Sequence, residues 1–391
     1  MSDFTEKPWG ILTGIRPAKI ATKLLDEGMS ESQVAEYFTN QYKTTYDKAT
    51  LALECARALL PIREKMYPNG VSLYIGIPFC PSRCLYCSFV TNGTERARRL
   101  MPEYVEALKK EIEYTAEILR HNNSTVETVY IGGGTPTTLT PELLEEMLSC
   151  LRREIDLSEI REFTVEAGRP DTITAEKLEV LKKYKVDRIS INPQSMNDET
   201  LRVIGRAHTA EDIRVAVALA KEKGFDNINM DVIAGLPGED ADMFKYTLSE
   251  VAAMEPADIT VHTMSIKRSS RLNERLAEYA LAEGGAVNQM VDYAREFLRE
   301  RKMFPYYMYR QKNQLGNLEN VGYAKAGMES LYNVYIMEEI QTIISLGCGG
   351  VTKTVDRETN RIERIFNVKE PKDYIERLDE MLHRKDVLRN E

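Results

Sequence analysis

Hydrophobic positions follow one rule before Ser72 and another after it. Upstream, apolar residues recur at helical spacing. Ser30 stands as a cap before Val34, Tyr37 and Phe38, and Leu51, Leu53, Ala56, Leu59, Leu60 and Ile62 mark a second amphipathic helix. Residues 1–70 therefore read as a helical lead-in packed on the main domain. Downstream, short β-branched runs at 72–77, 128–131, 163–166, 188–191, 228–233 and 259–262 alternate with helical patterns at 104–119, 141–151, 175–184, 210–223, 242–253 and 287–298. Thr140 before Pro141 is a helix start in its own right. Six successive strand–helix units imply a parallel sheet with right-handed crossovers. An open doubly wound sheet and a partial barrel both satisfy that pattern. Barrels carry their chemistry at the carboxyl ends of several strands. The unusual residues fall there: three cysteines after the first strand, a glycine cluster after the second, Glu166 at the end of the third, Gln194 after the fourth. The expected fold is α/β, a partial (β/α)6 TIM-like barrel over 71–300, with a helical extension over 1–70 and an α+β extension over 301–391.

Composition narrows the class. The net charge of −9 argues against a general nucleic-acid binder, which needs a broad basic excess. No run of about 18 uncharged apolar residues exists, so no membrane span is expected. The polar start from Met1 to Lys7 predicts no secretory signal and hence a cytoplasmic protein. There, three of the six cysteines clustered within eight positions indicate metal rather than disulfides.

Cys80, Cys84 and Cys87 follow the strand that ends at Ile77, in the spacing C-x3-C-x2-C. Three thiolates on one short loop can converge on a soft metal centre, and a cubane iron–sulfur cluster held by three cysteines keeps one iron open for another ligand. Gly132-Gly133-Gly134-Thr135-Pro136 removes every Cβ after the second strand, so either a tight turn or a ligand pressed against backbone N–H groups is expected. Neither a P-loop nor a dinucleotide fingerprint fits its spacing.

These two segments, with Tyr86 inside the cysteine loop, resemble the radical S-adenosylmethionine (SAM) superfamily. Tyr74-Ile-Gly-Ile-Pro-Phe-Cys80, Arg188-Ile-Ser-Ile-Asn-Pro-Gln194-Ser195 and Asp231-Val-Ile-Ala-Gly-Leu-Pro-Gly238 resemble, more narrowly, the oxygen-independent coproporphyrinogen III oxidase family. The likeness covers about 70–265 and resumes near 347–352. It implies a [4Fe–4S] cluster on Cys80, Cys84 and Cys87, with SAM chelating the fourth iron. It further implies SAM contacts from Tyr74, Tyr86, Gly133, Gly134, Thr135, Glu166, Gln194, Arg206 and Asp231, with Met264 and Val351 lining the adenine site. A reducing donor such as flavodoxin or ferredoxin is implied as well. In the family, a 5′-deoxyadenosyl radical takes a hydrogen from a coproporphyrinogen III propionate, which becomes a vinyl group.

Two departures matter. Gly76 stands where family members typically carry His, and Phe89 stands where the archetypal enzymes have a fourth cysteine. A sister group resembling heme chaperones also lacks that cysteine, so heme binding and transfer is the alternative expectation, beside a radical enzyme acting on another tetrapyrrole. Lys267, Arg268 and Arg271, and the tract from Tyr306 to Asn313, suit a flat ligand bearing propionates. The tyrosines equally suit an edge strand. The tract from Pro305 to Tyr323 and Trp9-Gly-Ile-Leu-Thr-Gly-Ile-Arg16-Pro17 resemble a Gram-positive coproporphyrinogen dehydrogenase subgroup, whose members have a longer amino-terminal region. His208, His262 and Cys348 are weighed as ligands against structural roles, Cys55 and Cys150 as core. The tail, 363–391, reads as a closing helix.

Overall fold

The computed structural model describes residues 7–14, 16–89, 98–357, 359 and 361–390; the polar start, Ile15 and the last residue of the tail lie outside them. The six expected strands are present as β1 (Gly70–Ile77), β2 (Thr125–Gly133), β3 (Glu162–Glu166), β4 (Arg188–Ser190), β5 (Asn227–Ala234) and β6 (Asp258–Thr263). They pair in sequence order and in parallel, with Tyr74 opposite Tyr130 and Glu166 opposite Ser190. Helices Met101–His121, Pro141–Glu154, Ala175–Lys183, Ala210–Glu222, Ala241–Ala253 and Gly284–Glu300 complete the six units. The strands are buried along nearly their whole length, as expected of a parallel sheet flanked by helices. Thr140 accepts from the Leu143 N–H and Ser30 forms a capping box with Gln33, so both helix starts lie where the sequence puts them.

The carboxyl-terminal stretch joins the same sheet. β7 (Met303–Tyr309) and β8 (Asn320–Lys325) run antiparallel beyond β6, while β9 (Thr342–Leu346) pairs in parallel with β1 and leads to antiparallel β10 (Val351–Val355) and β11 (Ile362–Phe366). The order is β11-β10-β9-β1-β2-β3-β4-β5-β6-β8-β7. The six-strand arc is therefore not closed on itself: its free edges are taken by β8 and β9. β11 also corrects the reading of the tail as one helix. Ile362–Phe366 pairs with β10, and helix resumes only at Pro371, where proline suits a first helical position.

Buried ions lock the extensions onto the arc. Lys48, in the helix Tyr46–Glu64, reaches Glu319 at 2.7 Å, and the Trp9 indole donates to the other Glu319 oxygen at 2.6 Å. Arg310 lies 5.3 Å from the Trp9 ring and donates to the carbonyls of Leu12, Gly14 and Asn317. Arg310 and Tyr306, expected as partners for propionates, are thus structural; the Tyr306 hydroxyl donates to Asp258 at 2.5 Å. At the amino-terminal end of the strands, the helix Leu331–Glu338 enters the arc. Glu162 accepts from the N–H groups of Leu331 (2.6 Å) and Tyr332 (3.3 Å), a carboxylate placed at a helix N-terminus.

Candidate functional site

The loop after β1 is held from several sides. The Leu85 N–H donates to the Ile204 carbonyl at 2.9 Å, Arg169 holds Ser82, and Arg83 bridges to the Ser269 carbonyl. The glycine loop packs directly beneath it. A Cβ on Gly134 would come 2.6 Å from the Phe79 carbonyl oxygen, and Gly133 has φ +111° with a notional Cβ 3.1 Å from Ile77. The N–H groups of Gly134 and Thr135 donate to Ile77 (2.8 Å) and Phe79 (2.7 Å). These glycines therefore let two loops touch, and what the loop offers an amino group is carbonyl oxygen rather than N–H. The Thr135 hydroxyl lies 3.3 Å from Cys80 Sγ. Burial pushes the Cys80 thiol up to about 11 and raises Cys87, so a bound metal is needed to keep these sulfurs as thiolates.

Inside the arc, Tyr74, Tyr130 and Tyr332 stack, with Tyr130 and Tyr332 centred 4.5 Å apart. The Tyr130 hydroxyl donates to Glu166 at 2.6 Å. Burial pushes the Glu166 carboxyl up to about 7, against that hydrogen bond and with the help of the Asp231 charge. Past β4 the chain bulges: Ser190 pairs with Asn229 and Gln194 with Val232, four steps against three. Gln194 takes up the extra residue at φ +67°, a left-handed conformation uncommon outside glycine, and bulges beside active sites re-aim side chains. Ser190 Oγ, Asn192 Oδ1 and Gln194 Oε1 are buried without a hydrogen-bond partner. Asp231 accepts from Asn229 at 2.8 Å and lies 3.5 Å from His262 Nε2; burial raises its carboxyl, but His262, Asn229 and Thr260 together outweigh that and the net shift is downward.

Two cavities flank the cysteine loop and share Ser88 and Phe89 as a partition. One, about 260 Å³, holds the expected Tyr74, Gly133 and Gly134 together with Cys348 and Lys369. The other, about 250 Å³, holds Tyr86, Cys87, Gln194 and Met264. Larger hollows of about 490 and 960 Å³ open at the amino-terminal ends of the strands and contain none of these residues. Arg206 lines neither small cavity. Its guanidinium donates to the carbonyls of Gly168 (3.1 Å) and Asn192 (3.3 Å) and to the Tyr86 hydroxyl (3.3 Å). Val351 opens β10 and lines neither cavity, although Gly349, two residues before it, lines the first. His208 is buried with its Nδ1 3.7 Å from Asp171 and lines neither small cavity, whereas His262 lines the second. Sequence reasoning did not single out Ser88, Lys369 or Ile233. Ile233 stands inside the Asp231–Gly238 segment and reaches the site on β5, whereas Ser88 comes in on the cysteine loop and Lys369 on the turn between β11 and the helix at Pro371.

Comparison with known proteins agrees with this geometry. A model of the radical SAM superfamily matches residues 74–251. The oxygen-independent coproporphyrinogen-III oxidase-like protein HemZ of Bacillus subtilis (strain 168) is 46% identical over 377 residues, 95% of this chain and 75% of that protein. The chain belongs to the oxygen-independent coproporphyrinogen III oxidase family of radical SAM proteins. The heme chaperone HemW of Bacillus subtilis (strain 168) is 31% identical over 73% of each chain. The structure of coproporphyrinogen III oxidase HemN from Escherichia coli shares the fold, with a TM-score of 0.63 at 22% identity over 83% of this chain and 73% of that one.

Radical SAM proteins use a [4Fe–4S] cluster and SAM, and the residues fit that pair. All three loop cysteines are free thiols, the soft donors such a cluster takes. Among the described residues no three His, Cys, Asp or Glu side chains gather tightly enough for a single ion. A cubane presents its irons at separate corners and accepts more widely spaced thiolates. Of the three unpartnered oxygens at and after the end of β4, that of Gln194 belongs to a residue lining the second cavity and is an acceptor for a polar ligand there. Among the described residues no helix is long and apolar enough to cross a membrane.

Proposed function

We propose that this protein removes the propionate carboxyl groups of coproporphyrinogen III without oxygen, yielding the vinyl groups of protoporphyrinogen IX. The observation that carries the reading is the pair of adjoining cavities on either side of the cysteine loop, which between them gather Tyr74, Gly133, Gly134, Tyr86, Gln194 and Met264, all expected SAM contacts. When bound on Cys80, Cys84 and Cys87, the cluster and SAM supply a 5′-deoxyadenosyl radical. Each of the two propionates converted would give up one hydrogen atom, then CO2 and one electron, the electron passing to an external acceptor.

The chain's own residues orient and exclude water. Tyr74, Gly133 and Gly134 form the wall nearest the cluster loop, with Thr135 fixing Cys80. Glu166 and Asp231 supply charge toward an amino group and a ribose, and Gln194 has its oxygen free for a hydroxyl. Arg206 holds Tyr86 and the ends of β3 and β4 in place. Met264 and Val351 are assigned to the adenine side. A cytoplasmic setting, with flavodoxin or ferredoxin as reductant, suits six free cysteines.

The test is anaerobic: reconstitute and reduce the cluster, add SAM, and follow 5′-deoxyadenosine with and without coproporphyrinogen III. Deoxyadenosine that rises with substrate, together with a mass loss of two carboxyl groups, supports the decarboxylase. A heme-binding transfer protein is the second reading, favoured by Phe89 in place of cysteine and by the heme chaperone relatives. Stoichiometric heme binding without turnover would select it.

A further inference from the structure

The segments that end at Ser195 and Gly238 meet through a single carboxylate, that of Glu239. Gln194 lines the second cavity, and its backbone is fastened to β5: its N–H donates to the Asp231 carbonyl (2.9 Å) and its carbonyl accepts from the Ile233 N–H (3.0 Å). The next residue, Ser195, is wholly buried and lines neither cavity. Its hydroxyl donates to Glu239 at 2.5 Å and accepts from the Asn197 N–H (3.0 Å) and side-chain amide (3.1 Å). That amide nitrogen also lies 3.0 Å from Glu239 and 3.1 Å from the Thr247 hydroxyl, which accepts from the Met196 N–H at 3.1 Å. Glu239 itself is 5% exposed and stands in the turn between β5 and the helix Ala241–Ala253. Among the described residues no lysine, arginine or histidine lies within ion-pair distance of it, and burial pushes its carboxyl up against the hydrogen bonds it accepts. A buried carboxylate without a cation is destabilising, and such a local cost is expected where it serves a site. The neighbouring geometry needs support of this kind. Gln194 sits at φ +67°, and a non-glycine residue stays left-handed only where its surroundings over-determine it.

We propose that Glu239 is a positioning residue: acting through Ser195 and Asn197, it holds the bulge after β4 in the shape that presents the Gln194 side-chain oxygen to a hydroxyl of SAM in the second cavity. Gln194 Oε1 makes no hydrogen bond of its own, so its aim is inherited from the backbone and from Ser195 beside it. Both bonds from the Ser195 and Asn197 side chains arrive at Glu239 Oε1. A glutamine at 239 would offer the same oxygen in the same place, whereas an alanine would leave the Ser195 proton without its acceptor. The proposal rests on Gln194 as a SAM contact and adds what fixes that contact.

The experiment measures SAM affinity rather than turnover, by anaerobic equilibrium dialysis of the reconstituted full chain with the cluster left oxidised so that SAM is not cleaved. Gln194→Ala and Glu239→Ala are each expected to weaken binding about tenfold, the size of one hydrogen bond in a sheltered site. The double variant is expected to bind no worse than Gln194→Ala alone, because both changes remove the same interaction. Ser195→Ala, a smaller cut into the same network, should match Glu239→Ala, and replaces it in the double variant if Glu239→Ala does not fold. Glu239→Gln should stay within about twofold of the parent, since the accepting oxygen is kept. Cluster absorbance per folded molecule should equal that of the parent throughout. Losses that add in the double variant overturn the proposal, because Glu239 would then act by a route that does not pass through Gln194. So does parental affinity in Glu239→Ala or Ser195→Ala while Gln194→Ala binds weakly, a result that leaves the SAM contact of Gln194 standing. Parental affinity in Gln194→Ala removes the SAM assignment itself, and the proposal with it.

Discussion

The two ends of the strand arc bury polar groups in opposite ways. β3 shows both within five residues. At its amino end Glu162 accepts four hydrogen bonds, from Thr164, Ser330, Leu331 and Tyr332. At its carboxyl end Glu166 has the Tyr130 hydroxyl, and its carboxyl is pushed up to about 7. β4 repeats the contrast: Arg188 is paired with Asp258 and donates to Asn227 and the Met328 carbonyl, while Ser190, two residues on, leaves its hydroxyl without a partner. The lower end has exceptions. Asp258 Oδ1 is unpartnered in a carboxylate otherwise compensated by Arg188 and Tyr306, and Glu338, on the helix that enters the arc there, keeps Oε2 unpartnered with its carboxyl pushed up by burial to about 7. Burial of charge therefore does not distinguish function from scaffold here. Along β3 and β4 it is the completeness of the hydrogen bonding that differs between the two ends; elsewhere His208, Arg310 and Glu338 also carry unpartnered buried atoms, so the contrast belongs to these strands.

The sharpest way to break the contrast is to remove one thiol. Cys84→Ala should lower bound iron and sulfide after reconstitution to background and abolish SAM cleavage, while urea unfolding of the metal-free chain moves by no more than about 1 kcal/mol. A variant that keeps its cluster would remove the basis of the site. Arg188→Met tests the other end. It strands Asp258 in the interior, and urea unfolding should show a loss of about 3–5 kcal/mol, with iron content per folded molecule unchanged.

Much of this was legible in the chain itself. The alternation of β-branched runs and helical patterns located all six parallel strands, and the C-x3-C-x2-C spacing marked the loop that the cavities flank. What periodicity could not show was pairing at long range. β8 and β9 cover opposite edges of the arc although 16 residues separate Lys325 from Thr342, and nothing local states which edge each one joins. The cationic, tyrosine-rich tract misled for a related reason. Tyr306 and Arg310 have the composition of a ligand surface, but their partners, Asp258, Leu12 and Gly14, are remote in sequence. Only the far part of that tract, Tyr309 and Gln311, reaches a cavity.

Glu166 adds a dependence on pH. Its folded carboxyl is raised from an ordinary 4.5 to about 7, chiefly by burial, so the folded state holds the proton more tightly than the unfolded chain. The sign follows: between pH 4.5 and 7 the unfolded chain ionises first, and stability falls as pH rises, levelling off above about 7. Linkage puts the loss at about 1–3 kcal/mol for the protein without SAM. Urea midpoints of the parent and of Glu166→Gln across that range should converge at low pH and separate as pH rises, with the variant the more stable. Parallel curves would mean that Glu166 titrates as it does in water.

The smallest effect is the most specific. Gln194 and Glu339 both sit in the left-handed region, at φ +67° and +54°, the first past β4 at the site and the second just before β9 at the opposite end. Such a residue is strained by about 1–2 kcal/mol relative to right-handed backbone, and glycine relieves the strain while adding about 0.5–1 kcal/mol of unfolded-state freedom. If backbone strain were the whole story, glycine would help both positions equally. Glu339, however, gathers Arg16 (2.9 Å), Lys19 (3.3 Å), Lys353 (3.4 Å) and Arg364 (3.5 Å), so Glu339→Gly loses a four-cation hub and should destabilise by about 1–2 kcal/mol. The Gln194 oxygen has no partner to lose. Gln194→Gly should therefore be neutral or stabilise the ligand-free protein by up to about 1 kcal/mol, and should weaken SAM binding in equilibrium dialysis. Loss of stability at Gln194 with SAM affinity intact would show that its side chain serves the fold, and would return the carboxyl end of β4 to the scaffold.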